Sequence, residues 1–189
     1  MLNVSIVSIG FDGYDLNEAL KGLSKTNSKN IIISCIDGFT KHFIPEDTNE
    51  KEWVAVKKLI DEYGIKFTGL FGHCNISQND DLKKMEKRMK FTKLLGGKSI
   101  DTNSGPVNTE KNFYENINYI IDLANELDLL VYLETHGDLI VDGESGVNLL
   151  KKVKSERIKI SYDPANITFI SKGKVDILND LKNTLEYIG

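Results

Sequence analysis

Leu-Leu-Val-Tyr-Leu-Glu-Thr-His-Gly (residues 129–137) and Ile-Lys-Ile-Ser-Tyr-Asp-Pro-Ala-Asn (residues 158–166) are the stretches on which the reading of this chain turns. Each is a short apolar run that ends in an acid, Glu134 in the first and Asp163 in the second. In a strand, side chains i and i+2 share a face, so Glu134 and His136 point the same way. Carboxylates at the C-terminal tips of two successive parallel strands make a divalent-metal or proton-transfer site, because open and closed α/β sheets both place their chemistry at that end. The plainer alternative is that Glu134 caps a turn and Asp163 starts one. His136 and Asn166 beside the two acids favour chemistry.

Outward from these runs, the same pattern repeats along the chain. β-rich segments fall at Val4–Ile9, Ile31–Ile36, Ile65–Phe71, Lys98–Thr102, Leu129–Leu133 and Ile158–Tyr162. Amphipathic helical patterns lie between and after them, roughly at 15–25, 49–63, 80–95, 109–127, 143–154 and 174–188. The fourth helix shows its period in Phe113, Ile117, Ile120, Ile121 and Ala124. Thr48 or Asn49 can cap the second helix, Gly64 ends it, Gly96-Gly97 end the third, and Thr109 opens the fourth. Trp53 and Phe113 fall on apolar helix faces and are expected in the core. Strands alternating with helices predict a parallel sheet with helical crossovers. No linker or low-complexity tract interrupts the pattern, so residues 1–189 read as a single domain.

Two architectures accommodate six parallel βα units, an open doubly wound sheet and part of a (β/α)8 barrel, which typically takes about 250 residues. A nucleotide-binding doubly wound sheet should carry a glycine fingerprint after its first strand. That turn reads Gly10-Phe-Asp-Gly13-Tyr-Asp, without the GxGxxG spacing. Gly96-Gly-Lys-Ser99 looks like the end of a phosphate-binding loop, but Thr92 occupies the place of the first glycine. The segment also leaves a helix and enters a strand, the reverse of what phosphate cradling needs.

Composition narrows the function classes. The 189 residues are 40% hydrophobic and 28% charged, an ordinary globular balance. A net charge of −4 and a pI near 5.5 argue against a nucleic-acid surface. The Lys-rich stretch from Lys83 to Lys93 alternates with Leu82, Met85, Met89 and Leu94 at helical spacing and reads as a solvated helix face. Cys35 and Cys74 sit in apolar runs without CxxC spacing and are expected to be reduced packing residues. No long apolar stretch or signal-like N-terminus is present, so the expectation is a cytoplasmic protein without a membrane partner, whose sequons at Asn75 and Asn166 have no consequence.

Leu-Glu134-Thr-His136-Gly on the fifth strand and Tyr-Asp163-Pro-Ala-Asn166 on the sixth, with Gly72-His73 at the end of the third, carry a resemblance to a known family. The chain resembles the sugar phosphate isomerase/epimerase, or xylose isomerase-like, TIM barrels, along its whole length in order and spacing. The resemblance implies an α/β fold of (β/α)8 type with only about six βα units present. It also implies a divalent ion at the C-terminal mouth of the barrel, manganese first, with magnesium, cobalt or zinc as alternatives. Four ligands are implied, on strands five to eight. Glu134 and Asp163 match the first two by motif, and the other two have no counterpart before Gly189. The chain therefore looks like a C-terminally truncated barrel with half a metal site, in which metal binding would be weak or absent. Glu134 would be both ligand and acid/base group, Asp163 a ligand only, and His136, His73 and Asn166 substrate contacts. Asn166 stands where many members carry a histidine. For His136 and His73 a purely structural role remains open. His42 reads as a lid residue or an exposed loop histidine.

The leading expectation, which the resemblance implies, is a metal-dependent isomerase or epimerase that would move a proton next to a carbonyl of a small sugar, sugar phosphate or polyol-derived ketone. A second reading is a non-catalytic remnant or assembly subunit of the same fold. A third, an abasic-site endonuclease-like enzyme, is disfavoured by the three histidines and acidic pI. Unclosed strand edges suggest a homo-oligomer.

Overall fold

The computed structural model of the chain describes residues 4–189. Six strands, β1 (Ile6–Val7), β2 (Asn30–Ser34), β3 (Lys66–Asn75), β4 (Ser99–Asn103), β5 (Leu130–Glu134) and β6 (Ile158–Ser161), form one sheet in the order β1-β2-β3-β4-β5-β6. All neighbouring pairs are parallel. Sequential order without reversal is the winding of a barrel. A doubly wound sheet would reverse its strand order at a switch point. Five helices follow the first five strands: α1 (Leu16–Ser24), α2 (Glu50–Glu62), α3 (Asn79–Leu95), α4 (Glu110–Leu127) and α5 (Gly143–Val153). After β6 come α6 (Pro164–Ser171) and α7 (Ile177–Thr184). Ile188 then bridges Ile160 in parallel, and the Gly189 amide donates to the Ile160 carbonyl at 3.2 Å, extending the sheet beyond β6.

The sheet has two unlike faces. Ile31, Ile33, Leu70, Ile100, Val131, Leu133, Ile158 and Ile160 are fully or almost fully buried and join the core with Leu20, Leu23, Ile60, Met85, Met89, Phe91, Phe113 and Ile120. These are the outward positions of each strand, covered by the helices. Residues of opposite parity, such as Ile32, Tyr132, Lys159 and Ser161, are only half buried. They face the inside of the curved sheet. Strong apolar periodicity on the covered face therefore drives the fold, and the polar inner face is left for a site.

Helix boundaries follow local chemistry. Asn49 caps α2 in a capping box with Glu52, and Asp15 with Glu18 does the same for α1. Gly96 closes α3 at φ +86, a conformation that glycine adopts without steric cost, so Gly96-Gly-Lys-Ser99 is a helix end leading into β4. Thr109 opens α4 without a side-chain cap bond. Trp53 and Phe113 are buried, as expected from their helix faces.

Several expectations are corrected. The first strand covers only Ile6–Val7, because Ser8–Phe11 tightens into a 3-10 turn that sends the Ser8 hydroxyl inward to accept from the Ser34 amide at 2.8 Å. The single helix expected over 174–188 is α7 alone, and α6 precedes it with Asp163 as N-cap and Pro164 in the first turn. The Lys83–Lys93 stretch is helical, but Arg88 within it is fully buried. His42 is half buried, accepting from Ser8 through Nδ1 at 2.9 Å and donating from Nε2 to the Phe11 carbonyl at 3.3 Å. The Ser8 hydroxyl, already accepting from Ser34, has its proton left for that imidazole, which fixes the tautomer. Both cysteines are buried, and burial pushes each thiol up to about 12, so neither is a nucleophile. No helix among the described residues is long and apolar enough to cross a membrane.

Candidate active site

The C-terminal strand ends surround an open pocket of about 500 Å³. One wall is apolar, built from Val7, Ile9, Ile36, Phe39 and Phe71 of the first three strands and their loops. The other carries His73, Glu134, His136, Asp163 and Asn166. All five side chains singled out by the sequence therefore meet in one place, although they come from β3, from the end of β5 and from the β6–α6 junction.

Glu134 is the centre of the polar wall and is only 6% exposed. His73 Nε2 lies 3.0 Å from its Oε2, and His136 Nδ1 lies 3.2 Å from the same oxygen. Asn166 Nδ2 donates to Glu134 Oε1 at 3.3 Å and stands 3.2 Å from His136 Nδ1. The two imidazole rings are edge to face, with centroids 5.5 Å apart. A buried carboxylate requires such partners, since an isolated one would cost far more than folding yields. The contact with His73 is close but not aligned. Among the described residues, neither His73 Nε2 nor Glu134 Oε2 has a partner in hydrogen-bond geometry. Buried polar atoms are normally satisfied, so these two mark capacity left for a ligand or water at the pocket floor.

Local structure explains how each group is placed. Ladder bonding between β5 and β6 continues to Thr135, whose amide donates to the Ser161 carbonyl at 3.1 Å, so the tip bearing Glu134 is held firmly. Beyond it the amides of His136 and Gly137 both donate to the Ile140 carbonyl, with Gly137 at φ +87, which folds the loop back and keeps His136 at the mouth. Asp163 fulfils the plainer alternative of starting a turn: its Oδ1 accepts from the amides of Ala165 at 2.7 Å and Asn166 at 3.1 Å. It lines the pocket as well.

One buried acid beneath the site, outside the pocket lining, was missed. Asp101 on β4 pairs in register with Tyr132 and so shares the inner face with Glu134. It is 6% exposed, and burial pushes its carboxyl up to about 6; a hydrogen bond from Ser161 pulls the other way, and the charge of Glu134 adds to the rise. The signal was present as an acid in the middle of Lys98–Thr102, at the parity of the inner face.

The donor set can be tested against a divalent cation. Among the described residues, no group of three or more His, Cys, Asp or Glu side chains is placed to hold one. Glu134 Oε2 has room for one further ligand, but Asp163 Oδ1 is committed to the helix cap, and among the described residues no third acid joins them in the pocket lining. Hard cations want about six oxygen donors, so these residues do not by themselves fit a metal site.

The profile of the xylose isomerase-like TIM barrel family matches residues 33–189. The chain belongs to that family. No curated protein matches the sequence significantly. Among solved structures, D-allulose 3-epimerase from Methylomonas sp. is similar with a TM-score of 0.77 and 15% identity, over 100% of this chain and 71% of that one. The 3-keto-D-glucoside 4-epimerase of E. coli gives 0.78 and 14%, over 100% and 77%. The probable 3-DHS dehydratase AsbF of Bacillus anthracis gives 0.77 and 15%, over 99% and 71%. At such identities the likeness is one of fold.

Proposed function

We propose that this member of the family carries a proton-transfer site for a sugar isomerase or epimerase, with Glu134 as the base at a carbon next to a carbonyl. The observation that supports it is the buried Glu134 carboxylate at a strand tip, faced by His73, His136 and Asn166 across an open pocket. Abstraction of a weakly acidic C–H proton needs a base held within reach and donors for the enolate oxygen that develops. The imidazoles and the Asn166 amide are suited to the second task. The apolar wall offers a surface for the less polar face of a small keto-sugar and helps to exclude water.

A divalent cation, manganese first, enters this proposal only as a ligand that Glu134 and Asp163 would share with donors outside the described residues. A cytoplasmic location and a homo-oligomer belong to the same proposal. The buried free thiols support the first, and the singly paired strand β1 supports the second.

The decisive experiment uses the half-reaction. The chain is incubated in D2O with a panel of ketohexoses, and NMR follows deuterium entering at the carbon beside the carbonyl. Exchange by the wild type that is abolished in Glu134→Gln is the expected result. Exchange that survives the substitution would remove Glu134 from the role, and its absence in the wild type would favour a binding or assembly function.

A further inference from the structure

The third strand departs from its regular ladder where it matters. Phe71 pairs with Asp101 and Asn75 with Asn103, so Gly72, His73 and Cys74 all lie opposite Thr102. This is a bulge with two extra residues, the kind of irregularity that re-aims a side chain. Its backbone bonds are supplied by side chains. The Thr102 hydroxyl accepts from the Cys74 amide at 3.0 Å and donates to the Cys74 carbonyl at 2.7 Å. Arg88, reaching in from α3, donates through Nη1 to the His73 carbonyl at 2.9 Å and to the Cys35 carbonyl at 3.1 Å.

Arg88 is in turn held by Glu46, through Nε at 3.1 Å and a second, shorter bond from Nη2. A fully buried guanidinium is a costly way to satisfy two carbonyls, and a rigid fork of donors is what distinguishes it from an apolar filler. The fork joins the carbonyl ends of β2 and β3 at the residue whose imidazole meets Glu134.

We propose that Thr102 and Arg88 are positioning residues: together they hold the bulge in β3, and through it they aim the His73 ring at Glu134. The functional consequence rests on the role proposed for Glu134, but the clamp itself can be tested without it. In the ligand-free protein, NMR should show a cross-peak between the rings of His73 and His136, whose centroids are 5.5 Å apart. Thr102→Val keeps the shape of the side chain and removes the hydroxyl. It should abolish the cross-peak while the amide spectrum away from β3 and β4 is retained, and Thr102→Ser should restore it. A residue that only supports the fold would change thermal stability and leave the cross-peak. An undiminished cross-peak in Thr102→Val, or its loss in Thr102→Ser as well, overturns the proposal. Should Thr102→Val not fold, Glu46→Gln gives a second reading by loosening Arg88. A weakened cross-peak is expected, and an unchanged one overturns the part assigned to Arg88. Since no substrate is present, these outcomes are independent of the deuterium-exchange result.

Discussion

Replacing Glu46 by alanine should be among the most damaging single changes outside the pocket. The substitution removes the carboxylate that faces a fully buried Arg88, whose partner is itself only 15% exposed. Breaking a buried pair from one side typically costs about 3–5 kcal/mol, because it leaves a charge without compensation. Here the charge keeps two carbonyl acceptors, those of Cys35 and His73, and the Asp37 carboxylate lies 3.8 Å away. These remaining partners place the expected loss at the lower end, about 3 kcal/mol. For a chain of this length that corresponds to a fall in Tm of about 6–12 °C. Urea unfolding followed by circular dichroism measures it.

The double-mutant cycle sharpens the test. Arg88→Met removes the charge and fills its volume, and on its own it leaves the Glu46 carboxylate and two carbonyls without their donor. In the double variant neither charge is left unpaired, so the combined loss should fall short of the sum by more than about 1 kcal/mol. Additive losses, or a loss below about 1 kcal/mol for Glu46→Ala alone, would show that Arg88 is compensated by other means and refute this account of the pair.

Other outcomes follow from the site. Asp101, with its carboxyl raised to about 6 against about 3.9 when unfolded, holds its proton more tightly in the native state. Its contribution to stability is therefore present below pH 4 and lost as pH rises to about 6, by on the order of 3 kcal/mol. Asp101→Asn should flatten the stability profile across that window, and an unchanged slope would deny the shift. Asp163→Ala should cost about 1 kcal/mol through loss of the α6 cap, whereas Asp163→Asn, which can still cap, should be nearly neutral. Equal losses in thermal unfolding would show that the charge of Asp163, and not its cap bonds, is what matters. Titration calorimetry of the 189-residue chain with manganese should find only weak binding, and tight stoichiometric uptake would mean that further donors such as His73 or His136 complete a site.

The sheet was legible because its covered face is written in aliphatic residues. Ile31, Ile33, Leu70, Ile100, Val131, Leu133, Ile158 and Ile160 stand at strand spacing, and the helix caps at Asn49 and Gly96 confirm where each crossover begins or ends. Helix α6 was missed for a different reason. Asp163-Pro164 is a strong start signal, but the same aspartate also stands where a strand-tip ligand is expected, and both uses draw on the one residue. Arg88 was hidden by its neighbours. Within a lysine-rich helix face, nothing in the local spacing separates the one guanidinium that turns inward from the ammonium groups that remain in water.

The candidate site shows the same division more sharply. Glu134 and His136 could be placed together because two residues of one strand share a face, a purely local rule. His73 required the register of a neighbouring strand, and that register is broken by the bulge opposite Thr102. A clue was present in Gly69 and Gly72, since glycines inside a strand often mark such irregularities. A Cβ at Gly69 would lie 2.7 Å from the Ser99 carbonyl oxygen, so close approach of β3 to β4 demands its absence. Where β3 diverges, Thr102 and Arg88 replace the ladder with side-chain bonds that span 28 and 15 residues of sequence. Local patterning thus carries the acid at the strand tip, while the geometry that surrounds it with imidazoles depends on long-range contacts that only the folded sheet brings together.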